Sequence, residues 1–147
     1  MRPTLSYELA TLADLDALVA LRIEAMRESL ERIGRFDPTR ARERFASGFE
    51  PASTRHILLD GQRVGFVVVK QQVDGLLLDH LYLRPTAQGQ GVGGRVLSEV
   101  LADADARGLP LHVGALRESA ANAFYTRHGF QKVGESQWDI YYRREPA

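Results

Sequence analysis

The chain has no cysteine among its 147 residues, which removes disulfides, thiolate metal sites and a cysteine nucleophile from consideration. It has no excess of either charge. Nineteen Lys and Arg balance nineteen Asp and Glu, and the arginines are interleaved with acids instead of forming the basic face of a nucleic-acid binder. No nucleic acid is therefore expected among its partners. The four histidines, His56, His80, His112 and His128, never take the H-x-x-x-H spacing that sets two imidazoles on one helix face, so no metal is expected. No apolar run reaches the length of a membrane span, and Met1–Ala10 lacks the charged start and apolar core of a signal peptide. The expectation is a cytoplasmic protein without a membrane partner. Internal repeats, low-complexity tracts and linkers are also missing, and the length suits one domain, residues 1–147.

What is there reads as an ordinary globular chain, with 44% hydrophobic and 26% charged residues, a balance that suits neither a disordered nor a membrane protein. Ser6 to Ala10 alternates weakly, as an edge strand does. Thr11 with Asp14 three residues on forms a helix-capping box, and Leu15, Leu18, Val19, Arg22, Ile23, Met26 and Leu30 mark a helix ending near Gly34. A short arginine-rich helix is predicted over Pro38 to Ala46, capped by Asp37. Strands follow over Arg55 to Leu59 and Arg63 to Lys70 around the turn Asp60-Gly61, and over Leu76 to Leu83 after Asp74-Gly75. Beyond Gly94, Val96, Leu97, Val100 and Leu101 predict a helix closed by Gly108. Then come a strand over Leu109 to Ala115, a helix over Glu118 to Arg127, and a strand pair over Phe130 to Val133 and Trp138 to Arg143. The order β-α-α-β-β-β-α-β-α-β-β implies an α/β (α+β) fold with helices on the faces of a mixed sheet.

The chemistry is concentrated in Gln88-Gly89-Gln90-Gly91-Val92-Gly93-Gly94. Glycines allow a tight turn and a close approach of ligand to backbone, and the helix that follows offers unpaired amides and a favourable dipole, so the segment suits a pyrophosphate. Gly89, Gly91 and Gly94 also satisfy G-x-G-x-x-G, but the next strand ends without the acidic residue that a dinucleotide fold uses on the ribose. Arg95-Val96 follows the last glycine where a P-loop has Lys-Ser or Lys-Thr. A turn that only caps a helix is the bland alternative.

The run Leu81-Tyr82-Leu83-Arg84-Pro85 with Gln88-x-x-Gly91-x-Gly93 resembles motif A of the GCN5-related N-acetyltransferases (GNAT). Ala121-x-x-Phe124-Tyr125-x-x-x-Gly129-Phe130 resembles the second signature of the same superfamily. The match spans about Leu76 to Phe130. It implies an acyl-CoA N-acyltransferase fold, with a mixed, mostly antiparallel sheet of about seven strands flanked by about four helices. It also implies acetyl-CoA as the acetyl donor. By the resemblance, amides from Gln88, Gly89, Gln90, Gly91, Val92, Gly93 and Gly94 hold the pyrophosphate. The strand carrying Leu81, Tyr82 and Leu83 splays from its neighbour, and the backbone of Leu81 and Leu83 meets the pantetheine and the thioester. Tyr125 corresponds to the tyrosine that protonates the departing thiolate, a role suited to a phenol that keeps its proton at neutral pH. Its alternative is a core aromatic beside Phe124. Where the family often has an asparagine that contacts the cofactor, this chain has Glu118. Either Asn122, one turn later, takes over that contact or the contact is missing.

An attacking amine must lose a proton, and Asp79 and His80 are the leading candidate bases, with His112 on the next strand third and more simply read as packing. They alternate along one strand and so face opposite ways, with Asp79 preferred because it shares parity with Leu81 and Leu83. A surface carboxylate and a packed histidine are the alternatives. The arginines Arg22, Arg27, Arg32 and Arg35, set among Glu24, Glu28 and Glu31, read first as a salt-bridged solvated face, with Arg27 or Arg35 as the alternative for holding an acceptor carboxylate. The functional expectation is direct acetyl transfer to a primary amine, on a small molecule or a peptide. Its rival is a catalytically silent acyl-CoA-binding or sensor module. Exposed sheet edges are compatible with a homodimer.

Overall fold

Asp60 and Gly61 both take left-handed backbone, φ 49° and 81°, which is the twist a two-residue hairpin turn requires. The turn joins two of the eleven elements that the computed structural model forms over the described residues, 2–147. In chain order these are β1 (Leu5–Leu9), α1 (Leu15–Arg32), α2 (Pro38–Ser47), β2 (Thr54–Leu59), β3 (Gln62–Gln72), β4 (Gly75–Leu83), α3 (Val92–Ala106), β5 (Leu111–Leu116), α4 (Ala121–Arg127), β6 (Gln131–Glu135) and β7 (Asp139–Arg144). Single 3-10 turns lie at Leu12–Asp14, Pro51–Ser53 and Pro85–Ala87.

The seven strands form a mixed sheet in the order β1-β2-β3-β4-β5-β7-β6. β4 and β5 pair in parallel, and the ladders of β1 with β2, β2 with β3, β5 with β7 and β6 with β7 are antiparallel. The expected sheet of about seven strands with four helices is what the chain forms. β4 is central, and its start is buried accordingly. Leu76 and Leu78 are each only 1% exposed, as suits a strand covered on both faces.

The chain divides into two compact units, one of residues up to Val68 with His80–Gly93, the other of Val69–Asp79 with Gly94–Ala147. In the first, α1 buries Leu18, Val19 and Leu21 with Phe45 of α2 and Phe66 and Val68 of β3, and Phe45 meets Phe66 edge to face at 5.6 Å between ring centres. Asp37 caps α2 through the Arg40 amide, with Pro38 at the first helical position as its fixed φ favours. In the second unit, Val96, Leu97 and Ala104 of α3 are fully buried, as are Leu111 of β5 and, nearly so, Phe130.

Two boundaries differ from the sequence reading in a way that matters. The Thr11–Asp14 capping box forms, but it caps a 3-10 turn that leads into α1. α4 begins at Ala121, three residues later than the Glu118 start that the composition suggests, because Glu118 itself takes left-handed backbone (φ 65°). A non-glycine residue there ends helical propagation.

Asp14 is also the hub of a polar cluster in the first unit. It accepts from the Thr11 amide at 2.9 Å and from Nε2 of the buried His56 at 3.0 Å, and Arg63 bridges it to Glu8. The His56 hydrogen bond, followed by that of Thr11, holds the Asp14 carboxyl at about 2, below its ordinary 3.8. A depressed carboxylate stabilises the fold above its unfolded value and loses that contribution as pH falls through the folded one. Asp14→Asn is therefore expected to cost about 2 kcal/mol at neutral pH, a difference that disappears as pH approaches 2. Urea denaturation of both proteins at pH 7 and across the acid range measures it.

Candidate active site

In the first unit the end of β4 is held by its neighbour. The Arg84 amide donates to Val64 O at 2.8 Å, so the even-numbered peptide groups here face β3. By the alternation of an extended strand, those of Leu81 and Leu83 face the opposite edge. The approach to β3 is close because of Gly65. A methyl group on Gly65 would run into the Tyr82 carbonyl oxygen and lie 2.8 Å from Leu83 Cδ2 and 3.1 Å from Leu83 Cα. Sequence reasoning passed over this residue, although an isolated glycine inside a strand is the known signal of close backbone approach.

The loop after β4 is braced by its own glutamines. Gln88 Nε2 donates to Leu83 O at 3.0 Å, and Gln90 Nε2 donates to Thr86 O at 2.9 Å. Gly89 and Gly91 take left-handed backbone, φ 77° and 80°, with open space where side chains would stand. The Gln88 amide, expected among the pyrophosphate donors, is taken instead by Pro85 O at 3.2 Å, closing the 3-10 turn, whereas among the described residues no carbonyl accepts from the amides of Gly89, Gln90 or Gly91. Val92 and Gly93 begin α3, whose first amides lack helical acceptors. A turn held in this shape with its amides unclaimed suits the pyrophosphate of a coenzyme.

His80 and Tyr82 share the other face-setting parity of β4. His80 packs 5.0 Å from the Phe45 ring and 5.6 Å from the Tyr82 ring, and the Arg22 guanidinium of α1 lies 5.9 Å from the Tyr82 ring centre. Arg27 pairs instead with Glu31 and stacks on Phe36 at 4.8 Å.

In the second unit, the ladder between β4 and β5 covers only Leu76–Leu78 with Leu111–Val113, whereas β5 continues against β7 as far as Leu116. Asp79 lies just past the end of that ladder, and Lys70 Nζ is 3.3 Å from its carboxylate. Gly75 (φ 148°) abuts the Pro110 carbonyl, leaving no room for a side chain. Gly94, in the first turn of α3, would present a methyl group 3.8 Å from His128 Nε2.

Tyr125 is 6% exposed, and its ring meets Phe124, Phe130 and Tyr142 at 5.3, 5.4 and 6.4 Å between centres. Asn122, one turn earlier on α4, fastens the helix. Its Nδ2 donates to Leu116 O at 2.9 Å and Ser119 O at 3.0 Å, while Oδ1 accepts from Tyr142 OH at 2.8 Å. Both amide hydrogens are used inside the chain, so only the second lone pair of Oδ1 is left for a ligand. The bond from Tyr142 to Asn122 has no local sign in the sequence, since a strand aromatic does not reveal its distant partner. Among the described residues no group of three or more His, Asp or Glu is placed to hold a metal, and no helix is long and apolar enough to cross a membrane.

A mixed seven-stranded sheet with a short parallel ladder between β4 and β5, followed by a braced glycine turn into a helix, is the architecture of acyl-CoA N-acyltransferases. The chain belongs within that class to the GNAT family of acetyl-CoA-dependent N-acetyltransferases, and residues 52–132 match the family profile described as Acetyltransferase (GNAT) domain. Similar solved structures cover almost the whole chain. The PaiA N-acetyltransferase from Thermoplasma acidophilum, in complex with coenzyme A, has a TM-score of 0.77 at 15% identity and covers 97% of this chain and 99% of its own. An acetyltransferase from Thermus thermophilus has 0.74 at 20%, with 99% of each chain covered. The ribosomal-protein-S18-alanine N-acetyltransferase from Escherichia coli has 0.68 at 19%, covering 98% and 95%. At these identities the likeness concerns the fold. No curated protein sequence matches.

Proposed function

We propose that the chain, working as one GNAT domain, moves the acetyl group of acetyl-CoA directly to a primary amine in a ternary complex. The observation that carries this reading is the glycine turn braced by Gln88 and Gln90, with the amides of Gly89, Gln90 and Gly91 unclaimed among the described residues. The coenzyme A bound to the similar PaiA structure supports it, as does the alanine acetylation named for the S18 enzyme. The loop amides take the pyrophosphate, and the outward peptide groups of Leu81 and Leu83 take the pantetheine and the thioester oxygen. As the amine nitrogen bonds to the thioester carbon, negative charge moves to that oxygen, where a fixed amide stabilises it. Collapse breaks the carbon–sulfur bond, and Tyr125 gives its phenolic proton to the leaving thiolate.

Of the two candidate bases, His80 takes the amine proton in this reading. The Asp79 carboxylate is already engaged by the Lys70 ammonium, whereas the His80 ring stands among aromatic rings on the opposite face. Asn122 sets the pitch of α4, and so the position of Tyr125, with one lone pair left for the coenzyme.

Addition of acetyl-CoA is expected to raise the melting temperature, and a panel of amines on small molecules and peptides is expected to contain acceptors that release free CoA. With such an acceptor, His80→Gln should lower kcat about a hundredfold and Asp79→Asn no more than about threefold. The reverse pattern would move the base to Asp79. Stabilisation by acetyl-CoA without CoA release from any amine would instead identify a binding module.

A further inference from the structure

α1 carries three arginines, and one of them is out of place. Arg27 and Arg32 each pair with a glutamate one turn away, Glu31 and Glu28. Arg22 has Leu18, Val19, Ala25 and Met26 at the corresponding helical positions, so its own helix offers it no carboxylate. It stands in the apolar stripe between Leu21 and Ile23, both of which belong to or pack on the core. Its Nε is shut off from solvent and has no hydrogen-bond partner, and its guanidinium rests against Tyr82 of β4. A permanently charged group in such surroundings is costly unless an anion meets it. Among the described residues no anion does. The residue as a whole is only half-buried, which leaves the group within reach of a ligand.

Its surroundings say which ligand. Tyr82 separates Arg22 from His80, at 5.9 Å from the one and 5.6 Å from the other, and Phe45 closes on His80 from α2. An acceptor whose amine reaches His80 extends along an aromatic wall toward a planar cationic fork, which matches a carboxylate in shape and charge. We infer that the acceptor is an amine that also carries a carboxylate, held by Arg22. The inference rests on the acetyl-transfer reading above, deepens it to a substrate class, and disfavours polycationic amines.

The test uses matched probes that differ only in the carboxylate, phenylalanine against phenethylamine and 5-aminopentanoate against pentylamine, with the intact chain. For at least one pair the carboxylate form should have a KM about tenfold or more below that of its partner. Arg22→Met should raise that KM by about ten- to a hundredfold with kcat within about threefold, and Arg22→Lys should restore part of it. Thermal stabilisation by N-acetylphenylalanine and by 5-acetamidopentanoate supplies a readout independent of turnover, and it should be lost in Arg22→Met. Preference for the amines without a carboxylate, preference for phosphoethanolamine, or an unchanged KM in Arg22→Met would overturn the inference. If Arg22→Met does not fold, the wild-type preference between paired probes decides alone. Absence of acetyl-CoA binding and turnover, with Arg22-dependent stabilisation by the acetylated carboxylates retained, would overturn the transfer reading and leave the carboxylate subsite standing.

Discussion

Gly65→Ala is expected to cost about 2–4 kcal/mol in stability and to weaken acetyl-CoA binding at least about tenfold. The residue lies on β3, outside both stretches that carry the family signatures. The added methyl group would meet backbone, namely the Tyr82 carbonyl and Leu83 Cα, and backbone cannot swing away as a side chain can. Relief requires moving the end of β4. That movement strains the Arg84–Val64 hydrogen bond and the Leu83–Gln88 bond that braces the glycine turn, so damage to strand pairing reaches the proposed coenzyme cradle. Urea denaturation reads the first effect and calorimetric titration with acetyl-CoA the second. A variant with wild-type stability and affinity would show that the two strands can separate without disturbing the loop.

Tyr125→Phe should separate chemistry from packing. The ring sits among Phe124, Phe130 and Tyr142, and phenylalanine keeps all of that contact, so stability should fall by no more than about 1 kcal/mol. If the phenol protonates the thiolate, kcat should fall about a hundredfold or more while the KM for acetyl-CoA changes little, since the lost interaction acts at the departure of sulfur. Tyr125→Ala would mislead, because the cavity alone costs about 3–5 kcal/mol. A kcat within twofold of wild type in Tyr125→Phe would reduce Tyr125 to the core aromatic that its 6% exposure also describes.

The candidate site was legible in the sequence to the extent that its parts are local. The glycine turn, the capping residues, the Asp60-Gly61 hairpin and the alternation that sets Asp79 and His80 on opposite faces each follow from residues within a few positions of one another. Helix and strand periods and backbone sterics act at that range. The α4 boundary failed for a related reason. Glu118 to Arg127 has helical composition, but the turn is decided by the Asn122 amide, which binds the end of β5 and receives the Tyr142 hydroxyl twenty residues on.

The sequence by itself determined the order of elements and the amide-bearing turn after β4, because spacing alone sets a period, a cap or a left-handed glycine; the family came from the resemblance of its two motifs. Only the tertiary structure decided which groups stand free and which are occupied. Tyr142 on Asn122, Gly65 beneath Tyr82 and Arg22 against Tyr82, with no counter-ion among the described residues, are all relations between segments distant in the chain. Burial and pairing are properties of packed surfaces, and no local pattern records what will lie on the other side.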